Sequence, residues 1–208
     1  MQITEWYNIK SLTMPSTWVS FLLSIVIVGL ILGILYKKEV VSIFVDAMLE
    51  LILIWKFSVI VTDFSLVIKH PLTMLYFNGG MIGLIIGMLY MLLTLWKKLR
   101  RRGFIEEDLQ SLFLASILSQ SFYQIWMAIL NDALLWQKAL TIISFSCWML
   151  IAFWKGKAGS IWHMQLLLLF FCTHLFIASL QPLGIWQVSV LVTLLLVLFR
   201  IFLQPRRI

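Results

Sequence analysis

What most constrains this chain is a succession of long apolar runs, with its cations collected in the short stretches between them. A bilayer core takes roughly 20 predominantly apolar residues as one helix. Runs of that length recur at 16–36, 43–62, 75–96, 110–130, 134–154, 161–180 and 184–203. Composition agrees: 62% of the 208 residues are hydrophobic and 12% are charged, with a mean hydropathy of +1.01. A soluble domain of this size has too little interior to hide that much apolar surface. The expectation is an all-α polytopic membrane bundle of seven transmembrane helices, a single integral membrane domain over 1–208 with almost no chain left for a soluble one.

The cations give an orientation, because cationic loops next to span ends resist translocation. Lys37 and Lys38 follow the first run, Lys97, Lys98, Arg100, Arg101 and Arg102 the third, Lys155 and Lys157 the fifth, and Arg200, Arg206 and Arg207 close the last. All of these fall on one side, against Lys10 and Lys69 on the other. The N-terminus is therefore expected outside and the C-terminus inside. Trp6, Trp18, Trp136 and Trp186 fall near outer ends and Trp96, Trp154 and Trp162 near inner ends, as interfacial indoles do. A net charge of +7 shared among short loops fits the anionic inner leaflet and gives no groove for nucleic acid. The N-terminus has no cationic n-region or small-residue cleavage pattern, and Pro15 precedes the first run, so no removed signal peptide is expected.

Ionisable residues inside the runs are costly and so carry information. Asp46 and Glu50 are spaced to share one face of the second helix near its inner end. Lys56 lies deeper, and Asp63 closes the outer end. Lys56 either contacts a lipid phosphate or partner carboxylate, or it pairs with Asp63 or snorkels outward along the helix. His163 and His174 are eleven residues apart, too far for both to ligate one metal. A neutral histidine bonded to a helix carbonyl is the ordinary reading of each, with proton transfer or a headgroup contact as the functional one. Cys147 and Cys172 have no CxxC spacing. They read as apolar filler, or as a thiol pair moving reducing equivalents if their sulfurs meet. No metal site and no cofactor is indicated.

No P-loop, HExxH, GxSxG or dinucleotide fingerprint is present, and no strand-like alternation is evident. Glycine spacing therefore reads as helix packing. Gly29 and Gly33 make a small-xxx-small pair in the first run. The run Tyr76, Phe77, Asn78, Gly79, Gly80, Met81, Ile82, Gly83, with Gly87 one turn on, is denser. It lets another backbone or a headgroup approach where a side chain would block it.

The segment from Asn78 to Leu109 resembles the prolipoprotein diacylglyceryl transferase family, bacterial enzymes that move a diacylglyceryl group from phosphatidylglycerol to a lipobox cysteine. The likeness lies in Gly79, Gly80, Gly83 and Gly87 on one helix, a cationic loop closing in Gly103 and Phe104, and Asp108 and Leu109 opening the next span. Collinear with it are Asp46, the pair Pro71 and Leu72, and Gly184, Ile185, Trp186 and Gln187 before the last helix. The resemblance implies the same seven-span topology, and irregular backbone near Asn78 to Gly80.

The departures fall on the chemistry that the resemblance implies. Asn78 stands where the family has histidine before its two glycines. The Gly-Arg-x-Gly-Asn signature of the fourth span is replaced by Tyr123, Gln124, Ile125, Trp126 and Met127. Thr173, Ile177 and Leu180 occupy the region of the family's sixth-span arginine, glutamate and second arginine. Transfer from phosphatidylglycerol needs charge stabilisation of a phosphate-bearing leaving group, and losing those cations removes it. The expected role is a non-catalytic, lipid- or lipoprotein-binding accessory protein of the bacterial plasma membrane. Its partners would be an anionic membrane phospholipid such as phosphatidylglycerol, and a lipoprotein or another membrane protein. Ligand contacts are expected at Asn78, Gly79, Gly80, Gln124, Lys56 and His174. The alternatives are an active transferase with a rewired site, using Lys56 or His174 for charge, and a small transporter or thiol-electron conduit.

Overall fold

The computed structural model describes residues 3–9, 12–71 and 77–203. Lys10, Leu72, Tyr76, Arg206 and Arg207, which enter the charge pattern, the Pro-Leu pair and the glycine run, lie outside the described residues. Among the described residues the regular structure is helical apart from one hairpin, in which β1 (Trp6–Ile9) pairs antiparallel with β2 (Leu12–Pro15), Trp6 opposite Pro15 and Ile9 opposite Leu12. That hairpin corrects the expectation of a chain without strands. Four residues a side are too few for periodicity to register.

The helices are α1 (Ser16–Leu35), α2 (Lys38–Phe57), the short α3 (Val59–Thr62) and α4 (Phe64–Lys69), α5 (Gly80–Arg102), α6 (Glu106–Leu130), α7 (Leu135–Lys155), α8 (Ser160–Ser179) and α9 (Val188–Phe202), with a 3-10 turn at Gly184–Trp186 before α9. Among the described residues five helices are long and apolar enough to cross a membrane: α1, α5, α6, α7, and α8 from Ile161. The expected second and seventh spans are less simple. α2 carries Lys38, Glu39, Asp46, Glu50 and Lys56. It breaks at Ser58, so the run expected over 43–62 is one helix and a further short turn. α9 has only 15 residues.

Charges fit the helix ends they flank. α5 finishes with Arg100, Arg101 and Arg102, and α6 opens with Glu106, Glu107 and Asp108. Cations beside free carbonyls and carboxylates beside free N–H groups complement the helix dipoles.

The chain divides into two compact units, residues 1–36 with 106–208, and residues 37–105. In the first, α6 is central and packs against α1, α7, α8 and α9. α1 inverts the soluble-protein pattern: its buried positions are Ser16, Ser20, Ser24, Val28 and Leu32, while Leu22, Val26, Leu30 and Ile34 are exposed. Small residues every fourth position let two backbones approach, which is how helices associate where lipid offers no hydrophobic contrast. Asn131 then ties the hairpin down, its Oδ1 accepting from Thr4 N–H at 2.9 Å and from Ser16 Oγ at 2.7 Å. In the second unit α2 packs along α5.

Candidate functional site

The six residues expected to meet a ligand are distributed over both units. Asn78, Gly79, Gly80 and Lys56 belong to the second, where α5 begins against the broken end of α2. The Asn78 side-chain oxygen accepts the Gly80 N–H at 2.8 Å, and Gly80 has a φ of 56°, a left-handed backbone that favours glycine. The Gly79 N–H donates to the Trp55 carbonyl at 3.1 Å. Trp55 Nε1 donates back to the Gly80 carbonyl at 2.9 Å.

Close packing explains the glycine run. A Cβ at Gly79 or at Gly83 would fall 1.9 Å from Ser58 Oγ, and one at Gly87 would lie 3.2 Å from the Leu51 side chain. Ser58 Oγ itself donates to the Trp55 carbonyl at 2.8 Å. The irregular backbone at 78–80 is thus present, and Asn78, Gly79 and Gly80 all serve the join between α2 and α5. Lys56 is half-buried beside this join, and the Asp63 carboxylate accepts from Thr62 Oγ1 at 2.9 Å. Gly29 and Gly33 differ, since a Cβ at either meets nothing within 4 Å.

Further along the same helix pair, Lys98 of α5 reaches both carboxylates of α2, Asp46 at 3.2 Å and Glu50 at 3.1 Å. Thr94 also donates to Glu50. The shared face expected for Asp46 and Glu50 is real, and a lysine from the neighbouring helix answers it.

Gln124 and His174 belong to the first unit and come together there. Gln124 Nε2 lies 2.9 Å from His174 Nε2 and donates to Ser189 Oγ at 2.8 Å. An amide nitrogen can only donate, so His174 Nε2 accepts and the ring proton sits on Nδ1. Nδ1 is 2.9 Å from Thr193 Oγ1, which passes its own proton to the Ser189 carbonyl at 2.8 Å. The imidazole is neutral in this arrangement. Phe145 and Phe170 stand edge-on to it, with ring centroids at 5.4 and 6.2 Å. The four polar residues join α6, α8 and α9 and are all buried.

This network departs from the ordinary expectation for a buried histidine, since the partners of His174 are side chains. His163 follows that expectation. Its Nε2 donates to the Gly156 carbonyl at 3.1 Å and its ring stacks on Phe113 at 4.1 Å. Cys147 and Cys172 are free and exposed. Among the described residues no three His, Cys, Asp or Glu side chains gather to hold a metal ion.

Ser189 and Thr193 were missed in the sequence, and their signal was there: two hydroxyl residues four apart in a helix otherwise apolar up to Arg200. Gln120 and Gln124 repeat that spacing on α6. Gln120 Oε1 and Ser121 Oγ, with Ser20 Oγ on α1, are buried and have no hydrogen-bond partner. No family model, curated protein or solved structure matches the chain.

Proposed function

We propose that the chain is a bacterial plasma-membrane protein that holds an anionic phospholipid on a scaffold resembling prolipoprotein diacylglyceryl transferase, as a lipid- or lipoprotein-binding accessory that does not itself transfer diacylglyceryl. The observation that carries this reading is the meeting of Gln124 and His174 at 2.9 Å inside an uncharged network. Both were named as ligand contacts from separate parts of the chain. Together with Ser189 they offer amide and hydroxyl groups to a lipid. They offer no cation for a phosphate-bearing leaving group, and removing even one preorganised donor commonly costs about 3 kcal/mol of transition-state stabilisation.

Seven crossings with the N-terminus outside belong to the same proposal. α2 can lie in a membrane despite its charges because Lys98 answers Asp46 and Glu50. At about 1.5 Å per residue α9 covers roughly 22 Å, and the turn at Gly184–Trp186 carries the chain onward from it.

The test is lipid analysis of the protein purified in mild detergent, together with expression in a transferase-depleted bacterium. Phosphatidylglycerol should copurify, and Gln124→Leu or His174→Leu should release it. Lipoprotein maturation should stay blocked in the depleted cells. Rescue of maturation that Gln124→Ala or Lys56→Ala abolishes would overturn the accessory reading in favour of an active transferase.

A further inference from the structure

We propose that Ser189, His174, Thr193 and Gln124 constitute an acyl-transfer site in which Ser189 is the nucleophile and the substrate is the carboxylic ester of an acyl lipid; this rests on the reading that the same network meets a bound lipid. The reaction is distinct from diacylglyceryl transfer, because the bond broken is the fatty-acyl ester.

Ser189 differs from the serines that bond back onto their own helix. Ser24, Ser111, Ser116 and Ser119 each give their hydroxyl proton to a carbonyl of their own helix, at 2.6 to 2.8 Å. Such back-bonding is the usual fate of a helical serine. Ser189 Oγ makes no such bond. It receives the Gln124 N–H, and the acceptor within its reach is His174 Nε2 at 3.3 Å. Thr193 fixes the opposite ring nitrogen. A nucleophile beside a base, with the base oriented by a third group, is the arrangement that activates a hydroxyl, and such contacts are commonly long before substrate binds.

The surroundings suit the step. Ser189 is the second residue of α9, where the dipole favours negative charge; Val190 and Leu191 give their N–H groups to the Gln187 carbonyl, and those of Val188 and Ser189 come too early in the helix for an intrahelical acceptor. Ser189 Oγ attacks the ester carbonyl carbon while its proton passes to His174 Nε2. The developing oxyanion takes the Gln124 N–H, which leaves the ring nitrogen it occupied, and the N–H groups of Val188 and Ser189. Collapse breaks the ester C–O bond, and the imidazolium returns the proton to the departing alcohol. Water then attacks the acyl-serine with His174 again as base, releasing a free fatty acid and restoring Ser189. Phe145 and Phe170 keep bulk water from the ring. Thr193 is a positioning residue, and its hydroxyl stabilises imidazolium less than a carboxylate would, so turnover should be slow.

The full-length protein in detergent micelles is treated with a fluorophosphonate, and the adduct is located by mass spectrometry. Ser189 should be labelled, Ser189→Ala should abolish the adduct, and His174→Ala should slow labelling by at least about 100-fold, the lower range for a general base. Thr193→Val should displace the pH profile of labelling and Thr193→Ser restore it, which a merely structural contact would not do. A wild-type protein with an intact thermal transition and no adduct on Ser189 overturns the proposal without any variant having to fold. Labelling that is indifferent to a folded His174→Ala also overturns it. Copurified phospholipid without labelling defeats this site alone, whereas labelling of a phospholipid-free protein defeats the phospholipid-holding role and leaves Ser189 in place.

Discussion

Gln124 and His174, fifty residues apart in the chain, meet nitrogen to nitrogen at 2.9 Å. Because the amide can only donate there, this one contact fixes the histidine tautomer. It also decides that Thr193 Oγ1 accepts the ring N–H and that the nitrogen 3.3 Å from Ser189 Oγ is the one already accepting from Gln124. The energetic weight of the network should therefore be shared unevenly among its members.

Removing Gln124 leaves His174 Nε2 without its closest donor in an apolar wall. Gln124→Leu is expected to cost about 1–3 kcal/mol, the usual penalty for stranding a buried polar partner. Combined with His174→Leu the losses should be clearly less than additive, because the second substitution removes the group stranded by the first. Thermal unfolding of the two single variants and the double variant in one detergent measures the coupling.

Glycines of the same type in the sequence should respond in opposite ways. Gly83→Ala drives a methyl into Ser58 Oγ and should destabilise by about 1–3 kcal/mol, as overpacking does. Ser58→Ala, which removes that oxygen, should recover part of the loss. Gly29→Ala and Gly33→Ala meet nothing within 4 Å and should be neutral or stabilising by up to about 1 kcal/mol through helix propensity. Equal destabilisation at all three positions would contradict the packing described.

Asn131 holds the hairpin through Thr4 and Ser16 and anchors itself by donating from Nδ2 to the Met127 carbonyl at 3.0 Å. Asn131→Leu should free the hairpin while leaving the helices in place. Limited proteolysis should then cut between Trp6 and Pro15 well before the rest of the chain. An unchanged digestion pattern would show that the β-pairing and the bonds from Asp132 N–H to Thr4 and from Tyr7 to the Leu130 carbonyl hold the segment without Asn131.

Lys98 lies between two carboxylates, yet its side chain is 34% exposed and those of Asp46 and Glu50 are 52% and 27% exposed. Exposed ion pairs contribute little. Lys98→Met should cost under about 1 kcal/mol, and the difference should shrink in high salt. A loss of several kcal/mol, indifferent to salt, would place this cluster in a far less polar setting.

Much of the architecture was legible because a membrane helix is declared by local composition. The runs beginning near 16, 75, 110, 134 and 161 correspond to α1, α5, α6, α7 and α8, with ends displaced by up to about six residues where caps and charges set them. α2 was harder, since its break at Ser58 has no Pro or Gly to announce it. Gly79 and Gly83, more than twenty residues away, leave room for the Ser58 side chain, while Trp55 bonds to the backbone at the start of α5. Asn78 was read as a ligand contact, and its oxygen caps the turn at Gly80. A side chain that reaches its own backbone two residues on looks the same in a sequence as one that reaches outward.

By itself, then, the sequence determined that this chain forms long apolar helices, and roughly where, because hydrophobicity and helix propensity act over neighbouring residues. It also contains, unread until the structure placed them, Ser16, Ser20 and Ser24, Gln120 and Gln124, and Ser189 and Thr193 at spacings of four, polar groups that must face protein if they lie in lipid. Which of them face one another was decided only by the tertiary structure. Helix packing brings α6, α8 and α9 side by side although α7 lies between the first two in the chain, and a hydrogen bond between Gln124 and His174 depends on a rotation and depth that no local pattern encodes.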